Sequence, residues 1–269
     1  MNEMENEEFT FLSRKILDLN KQLMESEKVK TRFLSLIANE LNNPMTALLG
    51  IIPRLAPPPG DPKETVFELA YEEALLLDSR IQNLVAASEL ESGVVDVTYA
   101  LIDPKILIEE AIAGFKYRLK TKNLRVDIES SLHDKIVSDP KKLYLILKNI
   151  IANACDYGDS DATVLIRIDQ TENDVRFAIT NQGRGPKVAY KAQIFTRFAE
   201  RMEGQHGLGL GLSIARELCG LMDGTIDYDT DDTSVTFTVT LPLQKAIADS
   251  EACGSNEFLF GSFDGAIEL

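Results

Sequence analysis

Two pairs of polar side chains and one glycine-rich segment have the residue types and spacing to do chemistry. Asn149 and Asn153 stand four apart, so both carboxamides project from one face of a predicted helix. A hard cation such as Mg²⁺ accepts such oxygen ligands and keeps its other positions for water and phosphate. Glu40 and Asn43, three apart, also share one helical face. Glycines recur between residues 207 and 211 where a helix is predicted to begin, so backbone amides there can face phosphate oxygens.

The N-terminal part of the chain predicts two helices that must position Glu40 and Asn43. From Phe9 to Leu23 apolar side chains step by three and four, and the same phase continues through Ser26 and Lys30 to Phe33 and Ile37, which is a heptad seam. A solitary amphipathic helix is the alternative, but so long a seam favours a coiled coil or bundle. Prolines between 53 and 62 predict its end, and residues 64–92 predict a second helix with Gly93 as C-cap. Because a single hairpin has too little core, we expect a parallel homodimer that forms a four-helix bundle.

After Gly93 the pattern changes to the alternation of half-buried strands, interrupted by helical stretches. This order predicts a two-layer α/β sandwich and, with the hairpin, an α+β chain. The predicted domains are residues 1–98, 99–244 and a disordered tail at 245–269, for which a docking peptide is the alternative. Strands are expected at 94–99, 124–128, 164–168, 175–179 and 235–241, and helices at 104–117, 139–157, 188–198 and 212–222.

Composition limits the classes of function. The chain has 269 residues, 44% hydrophobic and 26% charged, as in soluble globular proteins, and no apolar run approaches the ~18 residues needed to span a bilayer. A formal net charge of −15 disfavours nucleic acid and anionic lipid as partners. Cys155, Cys219 and Cys253 form no CxxC pair, which argues against a zinc site or a disulfide framework. The N-terminus lacks the basic and apolar regions of a signal peptide, so we expect a cytoplasmic protein.

Four segments resemble, in family order, the boxes of the ATP-binding domain of sensor histidine kinases and the wider GHKL ATPases. Residues 148–154 are similar to the N-box, 180–185 to the G1 box, 194–198 to the F-box and 207–214 to the G2 box. The resemblance implies ATP and Mg²⁺ as ligands, with Asn153 supplying an oxygen to the metal and Asn149 facing the phosphates. The residues that it assigns to the nucleotide site are Asn149, Asn153, Asp156, Tyr157, Asn181, Gly183, Gly185, Phe198, Arg201, Gly207, Leu208, Gly209, Leu210, Gly211 and Leu212.

Two of these positions depart from the family pattern. Asn181 replaces the acid that usually accepts from the adenine amino group, although its carbonyl oxygen is still an acceptor. Asp156 stands where sensor kinases usually have a lysine or arginine, and an acid repels phosphate unless Mg²⁺ intervenes. Arg201 is the one permanently cationic residue of the expected ATP lid between Phe198 and Gly207, which makes it a candidate γ-phosphate contact; a solvated surface arginine is the alternative.

Residues 33–50 resemble the phosphoacceptor box of the same family, and Asn39 occupies the position of the acceptor histidine. The lone pair of a carboxamide nitrogen is delocalised into the carbonyl, so Asn39 cannot form a phosphoramidate. Glu40 and Asn43 match the Glu-x-x-Asn/Thr pattern with which related proteins dephosphorylate a response regulator, and Asn43 could orient the attacking water. The alternative is that both are surface residues inherited from a kinase.

The sequence therefore predicts a two-component signalling protein that resembles a sensor histidine kinase, binds Mg·ATP and does not autophosphorylate at residue 39. It would act as a regulatory pseudokinase or as a response-regulator phosphatase. Its expected partners are a second copy, a receiver domain or another histidine kinase. The alternatives are a kinase acting in trans, a conventional autokinase with an engineered asparagine at position 39, and a non-enzymatic dimeric docking scaffold.

Overall fold

The computed structural model describes residues 2–93, 95–132, 134–183, 185, 194–197 and 209–244. The predicted tail at 245–269 lies outside these residues. No helix in the described ranges combines the length and apolar character that crossing a bilayer requires.

Two long helices form a hairpin at the N-terminus. Helix α1 spans Asn2–Ile51, a 3₁₀ turn follows at Ile52–Leu55, and helix α2 spans Glu64–Ser92. The regular helix ends just before Pro53, as the sequence predicts, because proline lacks the amide that the helix ladder needs. Gly93 ends α2 in the left-handed region at φ 69°, and its N–H donates to the carbonyl of Leu90. Helices α1 and α2 pack against each other, so the predicted hairpin is confirmed.

A single copy of the hairpin leaves many apolar side chains in solvent. Ile16, Leu19 and Leu23 on α1 are each more than half exposed, and Val66 on α2 is 67% exposed. By contrast, Met45 is buried. One hairpin therefore lacks the core to hide its own apolar surface.

The rest of the described chain forms two layers. The strands are β1 (Ala100–Ile102), β2 (Arg125–Ser130), β3 (Ile136–Ser138), β4 (Thr163–Gln170), β5 (Asp174–Gln182), β6 (Thr225–Thr230) and β7 (Ser234–Pro242). The main sheet has the order β2-β4-β5-β7-β6; its β2–β4 pair is parallel and its other pairs are antiparallel. Strands β1 and β3 form a separate antiparallel pair.

Helices cover one face of the main sheet. They are α3 (Pro104–Ala113), α4 (Lys116–Thr121), α5 (Pro140–Tyr157) and α6 (Gly211–Leu221). Asp103 and Asp139 cap α3 and α5 by accepting backbone N–H groups of the first turn. The core between the layers contains Ile146 and Ile150 of α5 against Phe177 of β5, all without solvent exposure. This packing fixes the orientation of α5, which carries the N-box.

The observed elements differ from the sequence expectations, which do not include strands β1, β3 and β6. The strand predicted over residues 94–99 is wrong: residues 95–99 are irregular because Thr98 donates its N–H to the Asp139 carboxylate instead of to a strand. The helix predicted over 104–117 is broken at Gly114. Of the helix predicted over 188–198, only 194–197 are described, and they form turns.

Two of the three cysteines are core residues. Cys155 of α5 and Cys219 of α6 are fully buried, and burial raises the pKa of each thiol to about 12. Both are therefore protonated and inert at neutral pH. Cys253 lies outside the described residues.

Candidate nucleotide site

Helix α5 carries four of the predicted site residues. Asn149 is buried and Asn153 is half-buried, while Asp156 and Tyr157 are exposed in its last turn. The Asn153 carboxamide makes no hydrogen bond with another residue of the described chain, so its oxygen is available to a ligand. The metal-ligand role that the resemblance implies for Asn153 stays a prediction.

Asn149 contacts the hairpin rather than open space. Its carboxamide and that of Asn83 on α2 exchange two hydrogen bonds, both of 2.8 Å between nitrogen and oxygen. The Asn149 side chain also lies against Gly211, where a Cβ would come within 2.9 Å of the Asn149 oxygen. The sequence predicts that Asn149 faces the phosphates; the structure places it between α2 and the first residue of α6.

The neighbouring Lys148 is the buried cation of this region. Its ammonium lies 3.6 Å from the Asp78 carboxylate of α2 and donates to the Gln82 amide oxygen at 3.1 Å. It also lies 5.6 Å from the centre of the Tyr144 ring. Burial lowers the pKa of Lys148 and raises the pKa of Asp78, while their mutual attraction opposes both shifts. Sequence reasoning missed this contact, although a lysine inside the apolar run of residues 145–151 is a detectable signal.

Asp156 is matched by a cation from helix α4. Arg118 contacts the Asp156 carboxylate through Nη1 and the Glu72 carboxylate of α2 through Nε, the latter at 3.0 Å. Nearby, Lys122 donates to the carbonyls of Cys155, Asp156 and Gly158 and so caps the C-terminus of α5. Arg118, which is shared with Glu72, and Lys122 therefore only reduce the repulsion of phosphate expected from Asp156.

The G1 segment follows the central strand β5 and is packed tightly. Asn181 is buried at the end of β5, between its sheet partners Val164 and Val235. Gly183 has φ 145°, and a Cβ there would lie 2.6 Å from the Tyr157 carbonyl oxygen. At Gly185 a Cβ would collide with the side chains of Thr230 and Val235. Sterics alone therefore require glycine at both positions.

A charged turn between β6 and β7 supports this segment. One carboxylate, Asp231, accepts hydrogen bonds from the N–H and hydroxyl groups of both Thr233 and Ser234. The carbonyl of Thr233 in turn accepts the N–H of Gly183 at 2.9 Å. These four bonds stabilise the charged carboxylate and lower the pKa of Asp231 to about 2.

Replacing Asp231 with alanine is expected to lower stability at neutral pH and to leave it little changed in strong acid. The folded pKa of about 2 lies below the unfolded value near ~3.9, so the contribution of this carboxylate is present above pH ~4. It is lost as the pH falls through the folded pKa. Thermal unfolding of both proteins between pH 7 and pH 2 should show midpoints that converge below pH ~4; a constant difference across this range would contradict the assignment.

The segment that leads into α6 is only partly described. Gly209 has φ 69° and Leu210 is buried just before the helix begins at Gly211, and Leu212 is half-buried. The N-terminal amides of this helix are the expected phosphate donors. Phe198, Arg201, Gly207 and Leu208 lie outside the described residues.

The F-box segment is anchored to both the sheet and the hairpin. Phe195 is buried and packs near the rings of Tyr228 and Phe237. Arg197 makes two hydrogen bonds to Glu217 of α6, at 2.9 and 2.7 Å, and one of 2.5 Å to Glu91 of α2.

The phosphoacceptor-like box lies on α1. Glu40 and Asn43 are exposed, one helical turn apart. The Asn39 side chain lies outside the described part of the structure. The exposed pair is therefore accessible to a partner protein.

Comparison with known proteins gives a family match over the second part of the chain. Residues 138–245 match the family described as histidine kinase-, DNA gyrase B-, and HSP90-like ATPase. Among curated proteins, the virulence sensor protein BvgS of Bordetella pertussis is 27% identical over 227 residues, which cover 80% of this chain and 18% of BvgS. The sensor protein VanSC of Enterococcus gallinarum is 24% identical over 88% of this chain and 67% of VanSC. The chain thus spans less than a fifth of the length of BvgS.

Two solved structures share the fold. Full-length ShkA, crystallised with AMPPNP, gives a TM-score of 0.60 at 22% identity and covers 81% of this chain, which spans 47% of ShkA. The Acinetobacter baumannii histidine kinase AdeS gives a TM-score of 0.55 at 21% identity, over 77% of this chain and 98% of AdeS. At 21–22% identity, these two similarities concern the fold alone.

Proposed function

We propose that this chain is a two-component signalling protein that binds Mg·ATP through its ATPase-type domain and does not phosphorylate itself at residue 39. One observation carries the proposal. The chain has Asn153 at the position of the metal ligand in the N-box, but it has Asn39 at the position of the acceptor histidine. Its principal role would be that of a regulatory pseudokinase.

The described residues fit a magnesium-chelated nucleotide. Asn153 offers an unengaged carboxamide oxygen, and a hard cation held there would offset phosphate charge. Gly183 and Gly185, which packing against the protein's own atoms already restricts to glycine, would also let the backbone approach a planar base. The N-terminus of α6 favours an anion. The AMPPNP bound to the structurally similar ShkA agrees with this assignment.

The hairpin would act as the dimerisation domain. Its exposed apolar residues, such as Ile16, Leu23 and Val66, are the surface that a second hairpin would bury in a four-helix bundle. The proposed partners beyond the second copy are a receiver domain or another histidine kinase. A cytoplasmic location stays a prediction.

A second candidate function is dephosphorylation of a response regulator. It is favoured by the exposure of both Glu40 and Asn43 on one face of α1. Asn43 would orient a water toward the phosphorylated aspartate, and Glu40 would influence the proton of that water or the docking geometry. This reaction needs no phosphohistidine, so Asn39 does not prevent it. Kinase activity in trans and a purely scaffolding role remain the alternatives.

Calorimetry with Mg·ATP tests the nucleotide half of the proposal. The protein should bind Mg·ATP, and Asn153→Ala should weaken this binding at least about tenfold because the metal loses its carboxamide ligand. In EDTA, where no metal is bound, the two proteins should differ little. Asn173→Ala is the matched control, since Asn173 is exposed in the turn at the opposite end of β5 from Asn181. Equal affinities of the Asn153→Ala variant and the parent protein for Mg·ATP would overturn the metal assignment.

A further inference from the structure

Helix α2 contacts the ATPase-type domain along most of its length. We call its contacting residues the latch face: Glu68, Glu72, Asp78, Gln82, Asn83 and Glu91. Their partners come from α4, α5 and the F-box segment, which all belong to the second domain. The latch face therefore joins the hairpin to three separate parts of the nucleotide-binding domain.

The charges across this contact are complementary. Four carboxylates of the latch face meet four cations, in the pairs Glu68–Lys120, Glu72–Arg118, Asp78–Lys148 and Glu91–Arg197. In a chain with a formal net charge of −15, this matching of opposite signs indicates a specific contact. The exposed pair Glu68–Lys120 contributes little by itself, so the specificity resides in the buried groups.

The reciprocal amide pair is the buried centre of the contact. Asn83 is 9% and Asn149 is 5% exposed, and each donates to the other. Asn149 is also the side chain against which Gly211, the first residue of α6, is packed. Docking of α2 thus holds a side chain that touches the helix N-terminus assigned to phosphate.

We propose that α2 is an intramolecular latch on the nucleotide site, with Asn83 holding Asn149 in a docked state of low nucleotide affinity. To turn toward a ligand, Asn149 must give up both bonds to Asn83, which would leave a buried amide unpaired unless α2 undocks. The docked helix also holds Arg118 and Lys148 in ion pairs with Glu72 and Asp78, so these two cations attract an anionic ligand less than they would if α2 were undocked. The latch rests on the nucleotide function proposed above.

Docking of α2 and nucleotide binding must affect each other equally, because the two equilibria are thermodynamically linked. If docking lowers nucleotide affinity by some factor, nucleotide must lower the docking equilibrium by the same factor. Mg·ATP would therefore free the hairpin from the domain, and the exposure of the latch face would report nucleotide occupancy to a partner protein.

Asn83→Ala tests the latch in the full-length protein. We expect two changes: faster amide hydrogen exchange in α2 and in the middle of α5 without nucleotide, and an affinity for Mg·ATP about tenfold higher by calorimetry. Tenfold is ~1.4 kcal/mol, within the range for one unpaired buried amide. Glu89→Ala is the control, because Glu89 is an exposed residue of the same helix outside the latch face, and it should leave both readouts unchanged.

The double variant Asn83→Ala with Asn149→Ala separates a latch from general loss of structure. With neither amide left unpaired, its exchange in α2 should return toward that of the parent protein. Unchanged exchange in Asn83→Ala, or faster exchange without a gain in affinity for a nucleotide that does bind, would overturn the latch. If neither protein binds Mg·ATP while exchange still accelerates, the proposed nucleotide function fails and the docking role of Asn83 stands.

Discussion

Replacing Asn39 with histidine is expected to produce a protein that transfers the γ-phosphoryl group of ATP onto itself. The imidazole is nucleophilic at neutral pH, with an ordinary pKa of ~6.5, whereas the carboxamide nitrogen of asparagine is neither basic nor nucleophilic. Incubation with Mg·ATP labelled at the γ position should change incorporation from background to about a hundredfold above background or more. The label should be lost in acid and retained in base, as a phosphoramidate is.

Two further variants identify the source of the label. Asn39→Ala should remain unlabelled, and Asn39→His combined with Asn153→Ala should lose most of the incorporated label. A histidine variant that binds Mg·ATP but stays unlabelled would show that more than the acceptor is missing. That result would show that the ATPase-type domain cannot transfer phosphate to the hairpin, and it would favour a docking scaffold or phosphatase.

Gly183→Ala is expected to damage both the fold and the nucleotide site. The new Cβ would lie 2.6 Å from the Tyr157 carbonyl oxygen, closer than real Cβ contacts, and φ 145° is unfavourable for any L residue with a side chain. Strain and overpacking together should lower the free energy of unfolding by about 2–5 kcal/mol. Urea denaturation should show this as a lower midpoint, and affinity for Mg·ATP should fall more than about tenfold.

Gly220→Ala provides the matched control for this substitution. Gly220 is exposed in α6, and a Cβ there would meet no atom within 4 Å. Alanine in a helix is favoured over glycine by up to ~1 kcal/mol, so this variant should be as stable as the parent protein or slightly more stable. If both alanine variants unfold at the same urea concentration, the close approach of Gly183 to Tyr157 is wrong.

Local patterns allowed the helices of the hairpin and the N-box helix to be predicted from the sequence. The heptad seam, the prolines after residue 52 and Gly93 act through neighbours in the chain, so their effects are visible without tertiary structure. The i, i+4 spacing likewise places Asn149 and Asn153 on one face of α5.

The partners of that face could not be predicted, because they lie far away in the chain. Asn83 is 66 residues from Asn149, and Arg118 is 38 residues from Asp156. Spacing fixes the direction in which a side chain leaves its own helix but not the element packed opposite. The strand expected at 94–99 failed for the same reason, since a distant side chain, Asp139, takes the N–H of Thr98.

The ion pairs of the latch face differ in burial, so the docking of α2 should depend on ionic strength. At the N-terminal end of α2, Lys120 is 68% exposed, so dissolved salt screens its attraction to Glu68. At the centre, Lys148 and Asp78 are 10% and 13% exposed, so salt reaches them poorly. Higher salt would therefore weaken the contact at the N-terminal end of α2 first, while the contact at the centre of the helix stays formed. Dissolved salt would weaken the docking of α2 gradually at its exposed end. Nucleotide would release the docking at the buried Asn83–Asn149 pair.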